Sequence, residues 1–286
     1  MAATDDAGVR PARARRRPHV PPWAGVTPFL GYVAVFLLWP VGIVVWTALH
    51  NTGGGWQFSS LSFLGQSQVR TAFVNSFELS LGSAVFGAVL GAVLAYAVAT
   101  GDPGGAVRRV YTAASGVLAQ FGGVTLAFAF LVLIGPIGLL FHATWYLSFP
   151  WGIGLIYGYF QVPLMVLVFV PALDGLRVQW REASENLGAS AWQYWRHIAA
   201  PLLAPAFFGS LLLLFANALS AYATIQAWEN QIPYVVPQLI STAMTSEVGL
   251  SNANQAQVLA VGLIIMVAVV MTGYALLQRR TARWLR

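Results

Sequence analysis

Covalent chemistry needs a nucleophile, an acid–base pair or a metal-binding set, and this sequence assembles none of them. His19, His50, His142 and His197 are scattered along the chain. No HExxH spacing sets two imidazoles on one helix face, and no nucleophile elbow occurs. The chain has no Cys, which removes thiolate nucleophiles, disulfides and cysteine-held metals. All fifteen basic residues are Arg. A phosphate-cradling loop ending in Gly-Lys-Ser/Thr therefore cannot be built, and any ATP hydrolysis has to come from another subunit.

One stretch is still chemically distinctive: "WREASENLGASAWQYWRHIAAPLLAP", residues 180–205. Glu182 and Glu185 are three apart and share a helix face, near an N-terminal end where the helix dipole favours negative charge. Gly188 offers a stop or bend. A second short helix is expected from Ser190 to Ile198, carrying Trp192, Tyr194 and Trp195, and Pro201 suits the first turn of the helix after it. The spacing thus predicts two short helices around a glycine bend. An elbow resting on lipid headgroups would explain the aromatic residues. A docking surface for a soluble partner would explain carboxylates that an anionic leaflet repels.

The elements that must carry this stretch follow from composition. Hydrophobic residues make up 58% and charged residues 8% of the chain, against roughly 25% charged in soluble domains. The reading is an all-α polytopic membrane protein. A spanning helix needs about twenty mainly apolar residues, and six runs qualify: 26–49, 73–99, 112–141, 151–173, 202–227 and 256–278. Gly135-Pro136 is the expected kink in the third. Residues 1–25 read as a disordered basic tail. The run at 26–50 is too long for a signal-peptide core and lacks a small-residue cleavage site, so it reads as an uncleaved first span. Residues 70–280 form the remaining core of five spans, with a polar loop at about 174–201.

Loop charge sets the expected direction. With the N-terminus inside, fourteen of the fifteen Arg fall on the cytoplasmic side and only Arg70 falls outside. Both termini and the 180–205 stretch are then cytoplasmic. The formal charge of +6 follows span ends and forms no soluble basic face, which argues against nucleic acid. The outer segments, near 51–68 and 228–255, are polar and carry Trp or Tyr. They suit interface anchoring or a vestibule for a partner.

Polar residues within spans usually face protein or water. The candidates for a solute path are Asn75, Glu78, Gln120, Thr125, Gln161, Asn217, Ser220, Tyr222 and Thr224. Snorkelling to the interface is the simplest account of Glu78, and helix packing that of Asn217 and Ser220. The run from Asn217 to Thr224 is the foremost candidate for path lining, because it interrupts an otherwise apolar helix next to the loop. Gly87 and Gly91 read as a close-packing pair.

The loop resembles the signature segment of permeases of ABC importers: Glu-Ala-Ala, three residues, Gly, nine residues, Ile, an apolar residue, Leu and Pro. Glu182, Ala183, Ser184, Glu185, Gly188, Ala189, Ile198 and Pro201 stand along that pattern, with Pro205 a further match. Ser184 replaces the second Ala, and Ala200 stands where Leu usually precedes Pro. The resemblance covers roughly 70–280. "GGVTLAFAFLVLIG", "FANALSAYAT" and "IPYVVPQLI" are most similar to the branch handling polyamines, iron chelates and phosphonates.

The resemblance implies a six-span type I importer permease in a bacterial plasma membrane. It implies half a solute path completed by a second homologous permease, and a coupling helix seated on an ABC ATPase dimer that binds ATP-Mg. It also implies an extracytoplasmic solute-binding protein. A sugar or glycerol-phosphate permease is the alternative. An ion-coupled carrier would be expected to show inverted repeats and broken midplane helices, and would leave the loop without a task.

Overall fold

The computed structural model describes residues 26–50, 55–56, 58–102, 104–134, 151–226, 234–245 and 250–282. The tail expected at 1–25, the kink expected at Gly135-Pro136, Arg283, Arg286 and much of the second outer segment lie outside the described residues. The chain divides into two units, residues up to Val44 and residues from Val45 onward.

The helices are α1 (Thr27–Leu49), α2 (Ser67–Thr100), α3 (Ala106–Gln120), α4 (Val124–Ile134), α5 (Trp151–Asp174), α6 (Val178–Asn186), α7 (Ala191–Ser220), α8 (Tyr222–Gln226), α9 (Val236–Thr245) and α10 (Leu250–Ala282). A 3-10 turn, Phe58–Gly65, precedes α2. Among the described residues, α1, α2, α5, α7 and α10 are each long and apolar enough to cross a membrane, and α3 with α4 make a sixth span if taken together. The protein is therefore an all-α polytopic membrane protein of five to six spans.

The third span carries a bend that the sequence reading does not place. It is two helices bent by 99° between Gln120 and Val124. The cause is Phe121-Gly122-Gly123, where Gly123 takes φ +76, a left-handed conformation that costs glycine no Cβ clash. Arg108 meets Asp174 at 2.5 Å, so α3 starts beside the end of α5.

Small residues position the core of the larger unit. The buried stripe of α2 includes Ala72, Ser76, Ser80, Ser83, Gly87, Gly91 and Ala95, recurring at helical spacing. In lipid, helices associate chiefly by close van der Waals packing and interhelical bonds, which small residues permit. A Cβ on Gly91 would lie 2.4 Å from Cβ of Met165, and one on Gly87 would lie 2.7 Å from Cβ of Gln161. The two helices are interlocked at these glycines. Toward the loop end, Ala84, Met165, Phe169, Leu203 and Leu214 form one core cluster; toward the other, Leu79, Leu126, Tyr157, Ala218, Ile225 and Val235 form a second.

Among the described residues, two π turns interrupt long helices, each just ahead of a proline. Residues 34–38 of α1 and 195–199 of α7 are π-helical, and a proline stands two residues after each turn ends, Pro40 and Pro201. Proline has no amide to continue the i→i−4 ladder. The preceding amides instead reach back five residues, Trp39 to the Ala34 carbonyl and Ala200 to the Trp195 carbonyl. Pro201 thus lies inside one helix running from Ala191 to Ser220, not at the first turn of a separate one.

Candidate functional site

The loop between α5 and α7 is held by backbone closure at each step. Helix α6 carries Glu182 and Glu185, both exposed. The Arg181 Nε donates to Oε1 of Glu185 at 2.9 Å. This bond raises the guanidinium further above its usual value. Ala183 is exposed, whereas Ser184 is 6% exposed and its hydroxyl donates to the Arg181 carbonyl at 2.8 Å. The Ser at this position therefore meets its hydrogen-bonding need within its own helix.

At the end of α6, the Gly188 amide donates to the Glu185 carbonyl (2.9 Å) and the Ala189 amide to the Ser184 carbonyl (3.0 Å). Gly188 has φ +78. These are the two bonds of a Schellman stop, which needs a left-handed residue at this position. Ser190 then starts the next helix with a reciprocal capping box. The Gln193 amide donates to Oγ of Ser190 at 3.3 Å, and the Ser190 amide to Oε1 of Gln193 at 2.7 Å. Stop and start are two residues apart, so the elbow geometry is encoded by Gly188, Ser190 and Gln193.

The elbow leaves apolar surface bare. Leu187 is 88% and Trp192 is 71% exposed. A concavity of about 770 Å³ is bordered by Ala183, Leu187, Gly188, Tyr194, Ile198 and Pro201, among others. A smaller one, about 300 Å³, lies between the last turns of α2 and the loop, at Tyr96, Thr100, Arg177, Arg181 and Trp195. Ile198 and Ala189 are half-buried, and Pro201 is exposed.

The in-span polar residues separate into exposed and enclosed groups. Glu78, Gln120, Thr125 and Ser220 are exposed, and Asn217 and Tyr222 are half-buried. Gln161 is fully buried, its Nε2 donating to Oγ of Ser83 at 3.0 Å within the α2–α5 contact. Asn75 is also enclosed, donating to the Tyr234 carbonyl at 3.1 Å, and Thr224 is 1% exposed.

The polar run from Asn217 to Thr224 is not one helix, because α7 ends at Ser220 and α8 begins at Tyr222. The Tyr222 hydroxyl meets the side chains of Ser241 and Gln226. Sequence reasoning missed Tyr157, buried in α5, whose hydroxyl donates to the carbonyl of Ala221 at this break (2.9 Å).

A family described as "Binding-protein-dependent transport system inner membrane component" matches residues 102–286. The chain is 27% identical over 92 residues to the sulfate transport system permease protein CysT of Escherichia coli, covering 30% of this chain and 33% of that protein. It is 23% identical over 183 residues to the spermidine/putrescine transport system permease protein PotC homolog of Mycoplasma genitalium, covering 62% and 61%. In both comparisons the chain spans less than two thirds of the relative's length. Its fold resembles a chain of a bacterial ABC transporter involved in import of the acidic polysaccharide alginate, with TM-score 0.67 and 18% identity over 90% of this chain and 94% of that one. The family match spans the bent α3–α4 pair, the elbow and every helix after it. This chain belongs to the family of binding-protein-dependent transport system inner membrane components.

Proposed function

We propose that the chain is a permease subunit of an ATP-driven importer, forming half of a solute path and receiving motion from a separate ATPase through residues 182–201. The observation that carries this reading is the elbow: a helix stop at Gly188 and a helix start at Ser190, with an open apolar concavity beside it. A lipid-resting elbow does not require so defined a bend or its exposed carboxylates, whereas a rigid lever seated in a soluble motor does. Family membership supports the same assignment. The partners are an ABC ATPase dimer that binds ATP-Mg, a second permease and an extracytoplasmic solute-binding protein.

In this reading the elbow and both termini face the cytoplasm of a bacterium. Asn217, Ser220, Tyr222 and Glu78 are the accessible candidates for the path, and Gln161 and Thr224 support it from within the packing. The solute is a small one such as a polyamine, a phosphonate or an iron chelate, with a sugar or glycerol phosphate as the alternative. Relatives named for sulfate and for spermidine/putrescine transport fit a small charged solute, and one named for trehalose transport fits the sugar alternative.

Glu182→Lys is the direct test. Reversal of an exposed charge at a docking surface is expected to cut solute uptake at least tenfold and to weaken co-purification of the ATPase, with the chain's own thermal stability unchanged. Parental uptake and parental ATPase recovery would sink the assignment.

A further inference from the structure

Two helix breaks that are far apart in sequence meet in space. At the first, Gly123 joins α3 to α4; a Cβ placed there would lie 3.5 Å from Cβ of Ala223 in α8. At the second, Ala221 separates α7 from α8. Local bonds close part of this break, from the Ser220 hydroxyl to the Asn217 carbonyl (3.0 Å) and from the Ala221 amide to the Ala218 carbonyl (3.2 Å). Both stay within the segment. The bond from Tyr157 instead ties Ala221 to α5, the most enclosed of the spans.

Tyr157 is 0% exposed. It belongs to a core cluster with Leu126 of α4 and with Ala218 and Ile225 on either side of the second break. A phenylalanine would fill that space equally well, so the hydroxyl adds only its bond to Ala221. Along α5, Tyr157 lies about 25 Å from Asp174, so with Asp174 at one edge of a hydrocarbon core about 30 Å thick it lies just inside the other edge. Non-helical backbone inside that core persists only where protein covers it or where it lines a water-filled cavity. Here one side is covered, while Ser220 and Ala223 are exposed on the other.

We infer that Tyr157 is a positioning residue for the solute path: its hydroxyl latches the α7–α8 break to α5, beside the α3–α4 break, and holds the exposed side of the break in place. The inference rests on the permease reading. The latch is held from two sides, because Tyr222 joins α8 to Ser241 of α9 at 2.7 Å. Release at Ala221 leaves α8 tethered to α9 through the neighbouring Tyr222, free to shift and not to detach.

Tyr157→Phe removes one oxygen and leaves the ring in place. In the full chain in nanodiscs, amide exchange over 221–226 is expected to rise roughly three- to tenfold, the factor for one lost hydrogen bond, while 203–214 keeps the parental rate. In the complex with its ATPase, hydrolysis without solute is expected to rise several-fold, a change that loosened packing alone would not cause. Parental exchange over 221–226 overturns the latch. Faster exchange with parental solute-free hydrolysis overturns its role in the path. The exchange measurement needs no transport, so it stays readable if Glu182→Lys defeats the permease reading.

Discussion

Gly188 shows how much one residue decides. The Schellman stop requires its φ of +78, and a residue with a Cβ pays roughly 1–2 kcal/mol there, asparagine less than others. A Cβ built on Gly188 meets nothing within 4 Å, so the cost lies in the backbone and not in crowding. Gly188→Asn is therefore expected to keep most solute uptake and Gly188→Val to lose most of it. Equal loss in both would mean that space at the docking surface, and not backbone conformation, is limiting. Gly188 was legible in the sequence because a glycine after a short polar helix has a conformational reason to be there. Tyr157 was not legible: a tyrosine in an apolar span reads as packing, and its partner Ala221 is 64 residues away. Ser184 was legible as a departure from the family pattern, but its internal bond to Arg181 appears only in the folded helix.

At the scale of elements, proline and glycine placed the interruptions, and the sequence reading weighted them unevenly. Gly122-Gly123 carries a sharp bend of 99° that the sequence reading does not place, while the kink expected at Gly135-Pro136 lies outside the described residues. The sequence reading also treated Pro201 as a helix start. In the folded chain, Pro201 sets the π turn of residues 195–199 within a helix that continues through it. A π turn inserts one extra residue into the ladder, which rotates the elbow face by about 100° relative to the apolar face of the span. Pro201→Ala supplies the missing amide and allows the turn to relax into α-helix. The helix itself should become at least as stable, yet Trp192 and Ile198 would be turned out of register with the rest of the proposed docking surface. Reduced ATPase recovery with an unchanged or raised melting temperature is the expected result. Parental recovery would show that the π turn has no part in docking.

For the whole molecule, span number and charge asymmetry were legible because lipid restricts what an apolar chain can do: every backbone polar group must be satisfied internally, so long apolar runs become helices. How those helices pack was less legible, because lipid is as apolar as the side chains and association turns on close fit at Gly87 and Gly91. Orientation rests on the distribution of Arg, with fourteen of fifteen on the side assigned to the cytoplasm. The absence of Cys makes this testable without background labelling. Leu187, at 88% exposure on the elbow, and Met244, at 73% on α9, serve as single-cysteine positions. Met244→Cys is expected to react with a membrane-impermeant maleimide from the outer face, and Leu187→Cys only in inverted vesicles. Adding the ATPase to those vesicles should then slow labelling at Leu187→Cys, since the elbow becomes covered. The opposite sidedness would place the elbow where no ATP-driven motor could reach it, and the charge argument and the coupling assignment would fall together.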